Sequence, residues 1–336
     1  PPGRQRGRCL FAPPRGVAHN ACMATAYVYH DRFLEHDTGA GHPERPDRLR
    51  AITKRLNTTG LDAKMSPIDF YAVDMKWVRR LHDQAYIDRL EKACRTKQRY
   101  IDTPDSAICP DSFAIAQLEV GGVLAATDAV MRGKADNAFC AIRPPGHHAE
   151  RDRSMGFCLF GNVAVAAEYM IVEHDVERIA IVDFDVHHGN GTQHLFEERS
   201  DVLFISLHQH PRTLYPGTGF EHERGRGKGE GYTLNIPLMP GGNDKVYDKA
   251  FKEKVIPALD EYKPQALIVS AGFDAATADP LAQMDVSADG FEMMSRHLHD
   301  AADRLCDGRL LTCLEGGYDL DALADGVERL TRTLVN

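Results

Sequence analysis

The sequence lacks the cysteine patterns of disulfide-stabilised proteins. Its eight cysteines include no C-x-x-C pair and no spacing typical of a disulfide framework. Several of them lie in apolar strand or helix patterns, so we expect reduced, buried thiols in a cytoplasmic protein. Apolar runs as long as a membrane span are also missing, and so is the core of a signal peptide. These absences predict a protein without disulfides and without a membrane partner.

The sequence has fewer basic residues (40) than acidic residues (49), which gives a formal net charge of -9. This balance argues against direct nucleic-acid binding and permits a cationic substrate near the site. Acidic residues are missing altogether from the first 22 residues, which are rich in Pro, Gly and Arg and show no periodicity. We therefore predict a disordered or non-native N-terminal extension over residues 1–22 and one domain over residues 23–336.

Apolar strands alternate with helical segments along most of the chain. Runs such as R-I-A-I-V-D-F (178–184) and A-L-I-V-S-A (266–271) are typical of strands that are buried on both faces. Helical patterns such as those of residues 162–173 and 288–305 lie between the strands. No repeat or linker divides this pattern. The sequence predicts a single-domain, three-layer α/β fold, with a mostly parallel central sheet covered by helices on both faces.

Polar motifs recur just after the predicted strands. They are R-P-P-G-H-H (143–148), D-F-D-V-H-H-G-N-G (183–191), S-L-H-Q-H (206–210), S-A-G-F-D (270–274) and L-E-G-G-Y (314–318). Open α/β sheets bind their ligands outside the carboxyl ends of the strands. The five motifs therefore predict one ligand site at that edge of the sheet.

Two carboxylates and an imidazole share one predicted face. Strand alternation places Asp183, Asp185 and His187 together, and buried carboxylates need a compensating positive charge. A hydrogen-bonded polar cluster would satisfy the pattern, and so would a metal ion. Asp185 and His187, joined by Asp274 from another strand end, have the chemistry of a three-ligand catalytic zinc site with an open position.

Histidines and aromatic residues complete the predicted site. His147 and His148 lie in a rigid Pro-Pro-Gly loop and could act as a base and as an oxyanion-stabilising group, with Asp183 and Asn190 as candidate orienting partners. Adjacent histidines are otherwise incidental in most proteins. Tyr318, after two glycines, could donate its phenol O–H to a developing oxyanion. Phe157 and Tyr215 are core residues or the two walls of an alkyl channel.

Taken together, these motifs resemble the histone deacetylase family within the arginase/deacetylase fold. The resemblance rests on the motifs above, from R-P-P-G-H-H to E-G-G-Y, and on four further segments in family order. These are H-P-E-R-P (42–46), G-F-C-L-F-G-N (156–162), Y-P-G-T-G (215–219) and D-P-L (279–281). It covers nearly everything after Met23, so residues 23–336 are expected to form a deacetylase catalytic domain.

The resemblance implies one zinc ion per subunit, a general base and acid, and an acyl-lysine tunnel. Zinc would be held by Asp185, His187 and Asp274. His148 would be the base and acid, His147 its electrostatic partner, and Tyr318 the residue that polarises the amide carbonyl. A structural potassium ion is implied near Asp183, Asp185, His187, Ser206 and Leu207, and a second monovalent site near Phe196, Val202 and Tyr232. The implied substrate contacts are Gly156, Phe157, Tyr215, Leu281, Gly316 and Gly317, with Arg45 along an exit channel for acetate.

Three positions indicate a subclass. Asn190 resembles the class II and class II-like amidohydrolases, Tyr318 resembles the fully active members, and Leu281 resembles the lysine deacetylases. We expect zinc-dependent hydrolysis of N-acetylated or short-acylated amines, foremost acetyl-lysine in a protein or peptide, that releases acetate and the free amine. Acetylpolyamine or other small-amide hydrolysis is the main alternative. A binuclear manganese ureohydrolase and an acyl-lysine binding module are weaker ones, and homo-oligomerisation stays open.

Overall fold

The centre of the protein is one sheet of eight parallel strands. The computed structural model describes residues 25–336, so the expectations for residues 1–22, and the first two residues of the predicted domain, lie outside the described part. The strands are β1 Thr25–Val28, β2 Met65–Pro67, β3 Asn137–Cys140, β4 Ile179–Asp183, β5 Val202–Gln209, β6 Thr233–Leu238, β7 Ala266–Ala271 and β8 Leu310–Leu314. Their order is β2-β1-β3-β8-β7-β4-β5-β6. Every neighbouring pair is parallel, which confirms the predicted sheet.

Helices cover this sheet, and the two that were predicted at residues 162–173 and 288–305 are found there within one residue. The helices are α1 Asp47–Thr59, α2 Gln84–Arg95, α3 Ser112–Met131, α4 Asn162–Glu173, α5 Asn190–Phe196, α6 Asp244–Ala250, α7 Ile256–Tyr262, α8 Ala288–Cys306 and α9 Leu320–Leu334. Strands β3, β4, β5, β7 and β8 are buried along their whole length, as continuous apolar strands require when both faces are covered. The predicted α/β architecture is confirmed.

Helix α3 differs from the expectation that no apolar run approaches the length of a membrane span. Among the described residues it is the one helix that is long and apolar enough to cross a bilayer, judged by length and composition. It packs instead against α4, β1 and β3, and 67% of its most apolar window is buried. Gly122 permits the contact with β1, because a Cβ there would overlap the Val28 side chain.

The six described cysteines are all free thiols, and five of them are buried. Cys140 and Cys313 lie opposite each other on β3 and β8, inside the sheet. Burial raises the pKa of the thiol at Cys94, Cys158 and Cys306, which makes these groups inert rather than nucleophilic. The expectation of reduced, buried cysteines therefore agrees with the described structure.

Three buried histidines make the fold sensitive to acid. Burial lowers the pKa of His36 to about 3 and the pKa of His82 and His208 to about 4, from an ordinary value near 6.5. Below pH 6.5 the unfolded chain binds protons that the folded chain excludes. These histidines therefore do not reduce the free energy of unfolding above about pH 6.5. Below that value the free energy of unfolding falls as the pH drops toward 4.

We expect His82→Gln to flatten this dependence. Within that window each such histidine contributes a slope of about 1.4 kcal/mol per pH unit, and glutamine cannot take up the proton. Urea unfolding at pH 7, 6 and 5 measures the slope for the two proteins. An unchanged slope in the variant would show that His82 is not held neutral by the fold.

Candidate active site

Four central strands deliver the predicted site residues to one edge of the sheet. His147 and His148 lie in the loop after β3, Asp183 is the last residue of β4, and Asp274 and Tyr318 follow β7 and β8. Because β3, β8, β7 and β4 are consecutive neighbours in the sheet, their carboxyl ends meet. The structure thus brings together the side chains that the motifs predicted at this edge.

Strand β4 ends at Asp183, so it does not extend to Asp185 and His187 as the predicted strand alternation required. Asp185 and His187 therefore lie in a loop, where strand alternation does not apply. Their common orientation comes from bonds between side chains and backbone. The N–H of Asp185 donates to Asp183 Oδ1 at 3.1 Å, and the N–H of His187 donates to Asp185 Oδ1 at 2.9 Å. These two turns repeat the two-residue period beyond the end of the strand.

Asp185, His187 and Asp274 form a compact group of metal-type ligands. All three are buried, and their ligand atoms lie within 4.8 Å of one another. His187 Nδ1 is 3.1 Å from Asp185 Oδ1 and 3.1 Å from Asp274 Oδ2. Two buried carboxylates that converge on one imidazole nitrogen need a positive charge between them. One histidine and two carboxylates are a donor set that suits a divalent ion such as zinc.

Backbone groups hold the two carboxylates in place. The N–H of Gly316 donates to Asp185 Oδ2 at 2.7 Å, and the N–H of Val186 donates to Asp274 Oδ1 at 2.9 Å. A Cβ at Gly272 would overlap the Asp185 carboxylate, and one at Gly316 would overlap the Asp274 carboxylate. Only glycine at these two positions leaves the carboxylates room, so the loops are shaped around the ligand group.

The electrostatics of this group favour a positive charge at its centre. Burial lowers the pKa of His187, but hydrogen bonds to Asp185 and Asp274 outweigh burial and raise it to about 10. Burial raises the pKa of Asp274, and the neighbouring Asp185 carboxylate adds to that rise. Burial also raises the pKa of Asp183 to about 7, against the opposing effect of His147. A divalent cation bound by these side chains would displace protons from them.

The two tandem histidines have opposite electrostatic environments. His147 Nδ1 is 2.9 Å from Asp183 Oδ2. Burial lowers its pKa, but the Asp185 and Asp183 carboxylates outweigh burial and raise it well above the usual value. His148 Nδ1 is 2.7 Å from Asn190 Oδ1, and burial next to His147 lowers the pKa of His148. The carboxylates thus favour the cationic form of the His147 ring and burial favours the neutral form of the His148 ring, with the predicted partners Asp183 and Asn190.

A narrow cavity of about 240 Å³ opens above these groups. Its walls are Asp105, His148, Gly156, Phe157, His187, Leu214, Tyr215, Leu281 and Tyr318. The Tyr215 ring lies 5.2 Å from the ring of His148, and the Phe157 ring lies 5.8 Å from that of Tyr318, both edge to face. The predicted contacts Gly156, Phe157, Tyr215 and Leu281 therefore line one channel that ends at the ligand group.

Gly316 and Gly317, which were predicted to contact the substrate, are not among the residues that line this cavity. Gly316 contacts the Asp185 and Asp274 carboxylates. Gly317 has a φ of +117° and presents its carbonyl oxygen to Arg48 Nε at 2.7 Å. The two glycines shape the loop that carries Tyr318, and direct contact between them and a substrate stays a prediction.

Arg48, and not Arg45, is the arginine that enters the interior. The Arg45 side chain is 44% exposed and faces Asp47, whereas Arg48 is fully buried. Arg48 also donates to the carbonyl oxygen of Glu315 at 2.5 Å, and its guanidinium lies 5.1 Å from the centre of the Tyr318 ring. Arg48 therefore fixes the loop that carries Tyr318. The suggestion of an interior role for Arg45 is wrong.

Of the residues predicted to bind the first potassium ion, Asp183 lies on β4, Ser206 and Leu207 lie on β5, and Asp185 and His187 lie in the loop after β4. Asp183 and Ser206 are direct partners in the parallel ladder, and Leu207 follows Ser206. At the second predicted site the carbonyl oxygen of Phe196 accepts from the N–H of Arg199, and that of Tyr232 accepts from the N–H of Phe204. A carbonyl oxygen that accepts one hydrogen bond has a second lone pair, so these hydrogen bonds do not exclude an ion at the second site. Both ion sites stay predictions.

Three further polar residues escaped the sequence reasoning. Asp105 lines the cavity, and its Oδ1 is buried without a hydrogen-bond partner. Glu315 accepts from the N–H groups of Gly146 and His147 at 2.7 and 3.1 Å and so holds the histidine loop. Glu150 contacts Asn190. Glu315 and Glu150 lie within or next to a motif and Asp105 lies outside all of them, but each has a partner that is distant in sequence, so no local spacing could reveal the contact.

Comparison with known proteins gives the family. The sequence model of the histone deacetylase domain matches residues 42–334. A histone deacetylase-like amidohydrolase from Pseudomonas aeruginosa is 42% identical over 286 residues, which are 85% of this chain and 75% of that protein. A probable deacetylase from Archaeoglobus fulgidus is 40% identical over 301 residues, which are 89% of this chain and 82% of that protein.

A solved structure extends the comparison to the fold. The crystal structure of the HDA15 HD domain superposes with a TM-score of 0.88 at 38% sequence identity, over 94% of this chain and 89% of that one. The matched segment contains every strand from β2 to β8 and all of the polar motifs described above. The chain therefore belongs to the histone deacetylase family.

Proposed function

We propose that this protein is a zinc-dependent deacetylase that hydrolyses the amide of an acetylated lysine side chain. Membership of the family supports a hydrolase that acts on amide bonds. One observation supports acetyl-lysine as the substrate and zinc as the metal. A narrow, aromatic-walled channel ends at a neutral histidine, a cationic histidine, a phenol and a group of three metal-type ligands. This arrangement suits an extended acyl-lysine whose carbonyl carbon is attacked by water.

The donor atoms of the ligand group suit a zinc ion. Asp185, His187 and Asp274 would hold it, and the glycines beside the carboxylates leave them room. When bound, zinc supplies Lewis acidity toward a carbonyl oxygen and lowers the pKa of water. His188 and Asn190, the residues considered for a second metal, are already engaged, because His188 contacts Thr218 and Gln193, and Asn190 contacts His148 and Glu150. This occupancy disfavours the binuclear ureohydrolase alternative.

The residues of the chain divide the proton transfers between them. His148 is neutral, its Nδ1 faces Asn190, and its Nε2 is the nitrogen left to accept a proton from the attacking water and return one to the leaving amine. His147 stays protonated against Asp183 and stabilises developing negative charge. Tyr318 lines the cavity, and burial raises the pKa of its phenol, so it keeps its proton as a donor to the oxyanion.

Asp105 is placed to bind the substrate at the channel. Its Oδ2 accepts from the N–H of Gly156 at 3.2 Å, whereas its Oδ1 has no partner. A buried carboxylate oxygen without a donor is costly, and an N–H group of a peptide substrate would satisfy it. The net charge of -9 and this carboxylate would also suit an acetylated polyamine. Leu281 in the wall and the two aromatic rings favour the alkyl chain of a lysine.

We expect Asp105→Asn to raise KM for an acetyl-lysine peptide by roughly tenfold, because a hydrogen bond to a charged group contributes about 1.5–3 kcal/mol. The kcat value should change little, since Asp105 does not touch the reacting carbonyl. N-Butylacetamide serves as a control substrate, because its acyl-amine portion matches and it has no backbone N–H. An equal loss on both substrates would mean that Asp105 shapes the channel instead of binding the peptide.

Metal removal tests the proposed function itself. After dialysis against a chelator, turnover of an acetyl-lysine peptide should be lost, and one equivalent of zinc per chain should restore it. Comparing kcat/KM for the peptide with that for N-acetylputrescine separates the two candidate substrates. A higher value for the polyamine would move the proposal to small-molecule metabolism. Turnover that survives complete zinc removal would contradict it. A cytoplasmic location remains part of the proposal and rests on the reduced cysteines alone.

A further inference from the structure

Asn190, the orienting partner of His148, can face its histidine in two chemically different orientations, whereas the partner of His147 cannot. Asp183 presents a carboxylate to His147, and either of its oxygens can accept a hydrogen bond. Asn190 presents an amide, which has an acceptor end and a donor end of nearly the same shape. Only the acceptor end keeps a proton on His148 Nδ1 and leaves Nε2 as the base. A flipped amide would produce the opposite tautomer.

Glu150 decides which way this amide faces. Asn190 Nδ2 donates to Glu150 Oε1 at 2.5 Å and lies 3.6 Å from the sulfur of Met155. A carboxylate offers no hydrogen to an amide oxygen, so the flipped amide would place two oxygens in contact. Asn190 Oδ1 is thereby left for His148 Nδ1, at 2.7 Å.

His194 holds Glu150 in position from the opposite side. Its Nδ1 is 2.8 Å from Glu150 Oε1 and 2.9 Å from Oε2, and this hydrogen bond raises the pKa of His194. The Glu150 side chain is 8% exposed and the His194 side chain is 37% exposed. The backbone of Glu150 is fixed as well, because its carbonyl oxygen is 2.8 Å from His82 Nδ1. Glu150 therefore has little freedom to turn away from Asn190.

We propose that Glu150 is a positioning residue that acts through the Asn190 amide and fixes His148 as the Nδ1–H tautomer, with Nε2 free to accept a proton. The inference rests on the proposed function, in which His148 is the general base. It assigns a purpose to a buried glutamate that touches neither the cavity nor the metal-type ligands. It also explains why an amide can serve where the neighbouring histidine is oriented by a carboxylate.

A double-mutant cycle at Glu150 and Asn190 tests this proposal. In the zinc-loaded protein, Glu150→Gln lets the amide flip and should lower kcat on the order of tenfold, the low end of the range for outer partners of site residues. KM and zinc content should stay within twofold, because Glu150 does not line the channel. The matched control is Glu168→Gln, since Glu168 is equally buried and is paired with Arg80 and Arg199 away from the histidines. Its kcat should equal that of the parent.

The sign of the effect should reverse in the Asn190→Asp background. Asn190→Asp sets two carboxylates against each other and should itself lower kcat. Adding Glu150→Gln supplies an N–H to the new carboxylate, which no longer needs a fixed orientation, and should raise kcat by about tenfold over Asn190→Asp. If the role of Glu150 were purely structural, Glu150→Gln would instead lower kcat by the same factor in the parent and in the Asn190→Asp background. That result, or an unaffected kcat in Glu150→Gln alone, would overturn the proposal.

The ¹⁵N NMR shifts of His148 provide a readout that needs no turnover. The parent protein should show a protonated Nδ1 and an unprotonated Nε2, and Glu150→Gln should show a second population with the reverse pattern. An Nε2–H ring in the parent would refute the proposal even if the enzyme is active. Conversely, a correct tautomer in a protein that hydrolyses no acetyl-amine would leave the orientation established and would reject the proposed function.

Discussion

Asp274→Asn is expected to abolish both zinc retention and catalysis. Asp274 is fully buried, and its Oδ2 is one of two carboxylate oxygens at 3.1 Å from His187 Nδ1. The amide has nearly the same shape and can still accept from the N–H of Val186, so the fold should persist. It lacks the negative charge that a divalent cation requires. Because the loss of an outer partner costs 10–100-fold in metal affinity, the loss of a direct ligand should cost more than about 100-fold.

Metal analysis after gel filtration measures this effect. The parent protein should carry one zinc per chain, and Asp274→Asn should carry almost none. Asp279→Asn is a matched control, because Asp279 is also buried and interacts electrostatically with Asp274, but it accepts from the N–H groups of Leu281 and Tyr318. This control should keep its zinc, although its kcat can fall through Tyr318. Stoichiometric zinc in Asp274→Asn would mean that the ligand group is assigned wrongly.

Tyr318→Phe is expected to lower kcat by roughly 10²–10³-fold, the typical cost of removing one oxyanion donor. The ring would keep its contacts with Phe157 and Arg48, so only the O–H is lost. Because the donor acts on charge that develops in the transition state, KM should stay nearly constant. Zinc content should also be unchanged, which separates this variant from Asp274→Asn.

Steady-state kinetics on an acetyl-lysine peptide provides this measurement. Tyr71→Phe is the control for loss of a phenol, because Tyr71 is 85% exposed and does not line the cavity. It should match the parent. If Tyr318→Phe raised KM and left kcat intact, Tyr318 would bind the ground state of the substrate, and the oxyanion would need another donor.

Local patterns in the sequence were sufficient for the sheet and for most of the ligand group. Continuous apolar segments such as 266–271 predict buried parallel strands, because helices cover both faces of the sheet. The polar residues just after these strands then have only one edge to share. Asp185, His187, Asp274, His147 and His148 meet there as predicted. In this fold the position of the site follows from the parallel topology itself.

Sequence periodicity does not encode geometry that depends on contacts between side chains and backbone. Strand alternation correctly predicted that Asp183, Asp185 and His187 lie together, although β4 ends at Asp183. Beyond the strand, hydrogen bonds from backbone N–H groups to the Asp183 and Asp185 carboxylates maintain the two-residue spacing. The prediction of an interior role for Arg45 failed because Arg45 precedes helix α1 and its side chain is exposed, whereas Arg48 lies on the buried face of that helix.

Contacts between distant residues were also out of reach. Glu150 lies 40 positions from Asn190, and Asp105 lies 51 positions from Gly156. No pattern within one segment encodes such a pair, because the loops that carry the two partners are brought together only by the folded chain.

The most direct test of the central claim is the release of acetate from an acetyl-lysine peptide by the zinc-loaded protein. Acetate and free lysine amine should appear in equal amounts, and both should disappear in Asp274→Asn and fall steeply in Tyr318→Phe. Peptide bound stoichiometrically but not hydrolysed by the zinc-loaded protein would contradict the account and identify the channel as an acyl-lysine binding site without the chemistry.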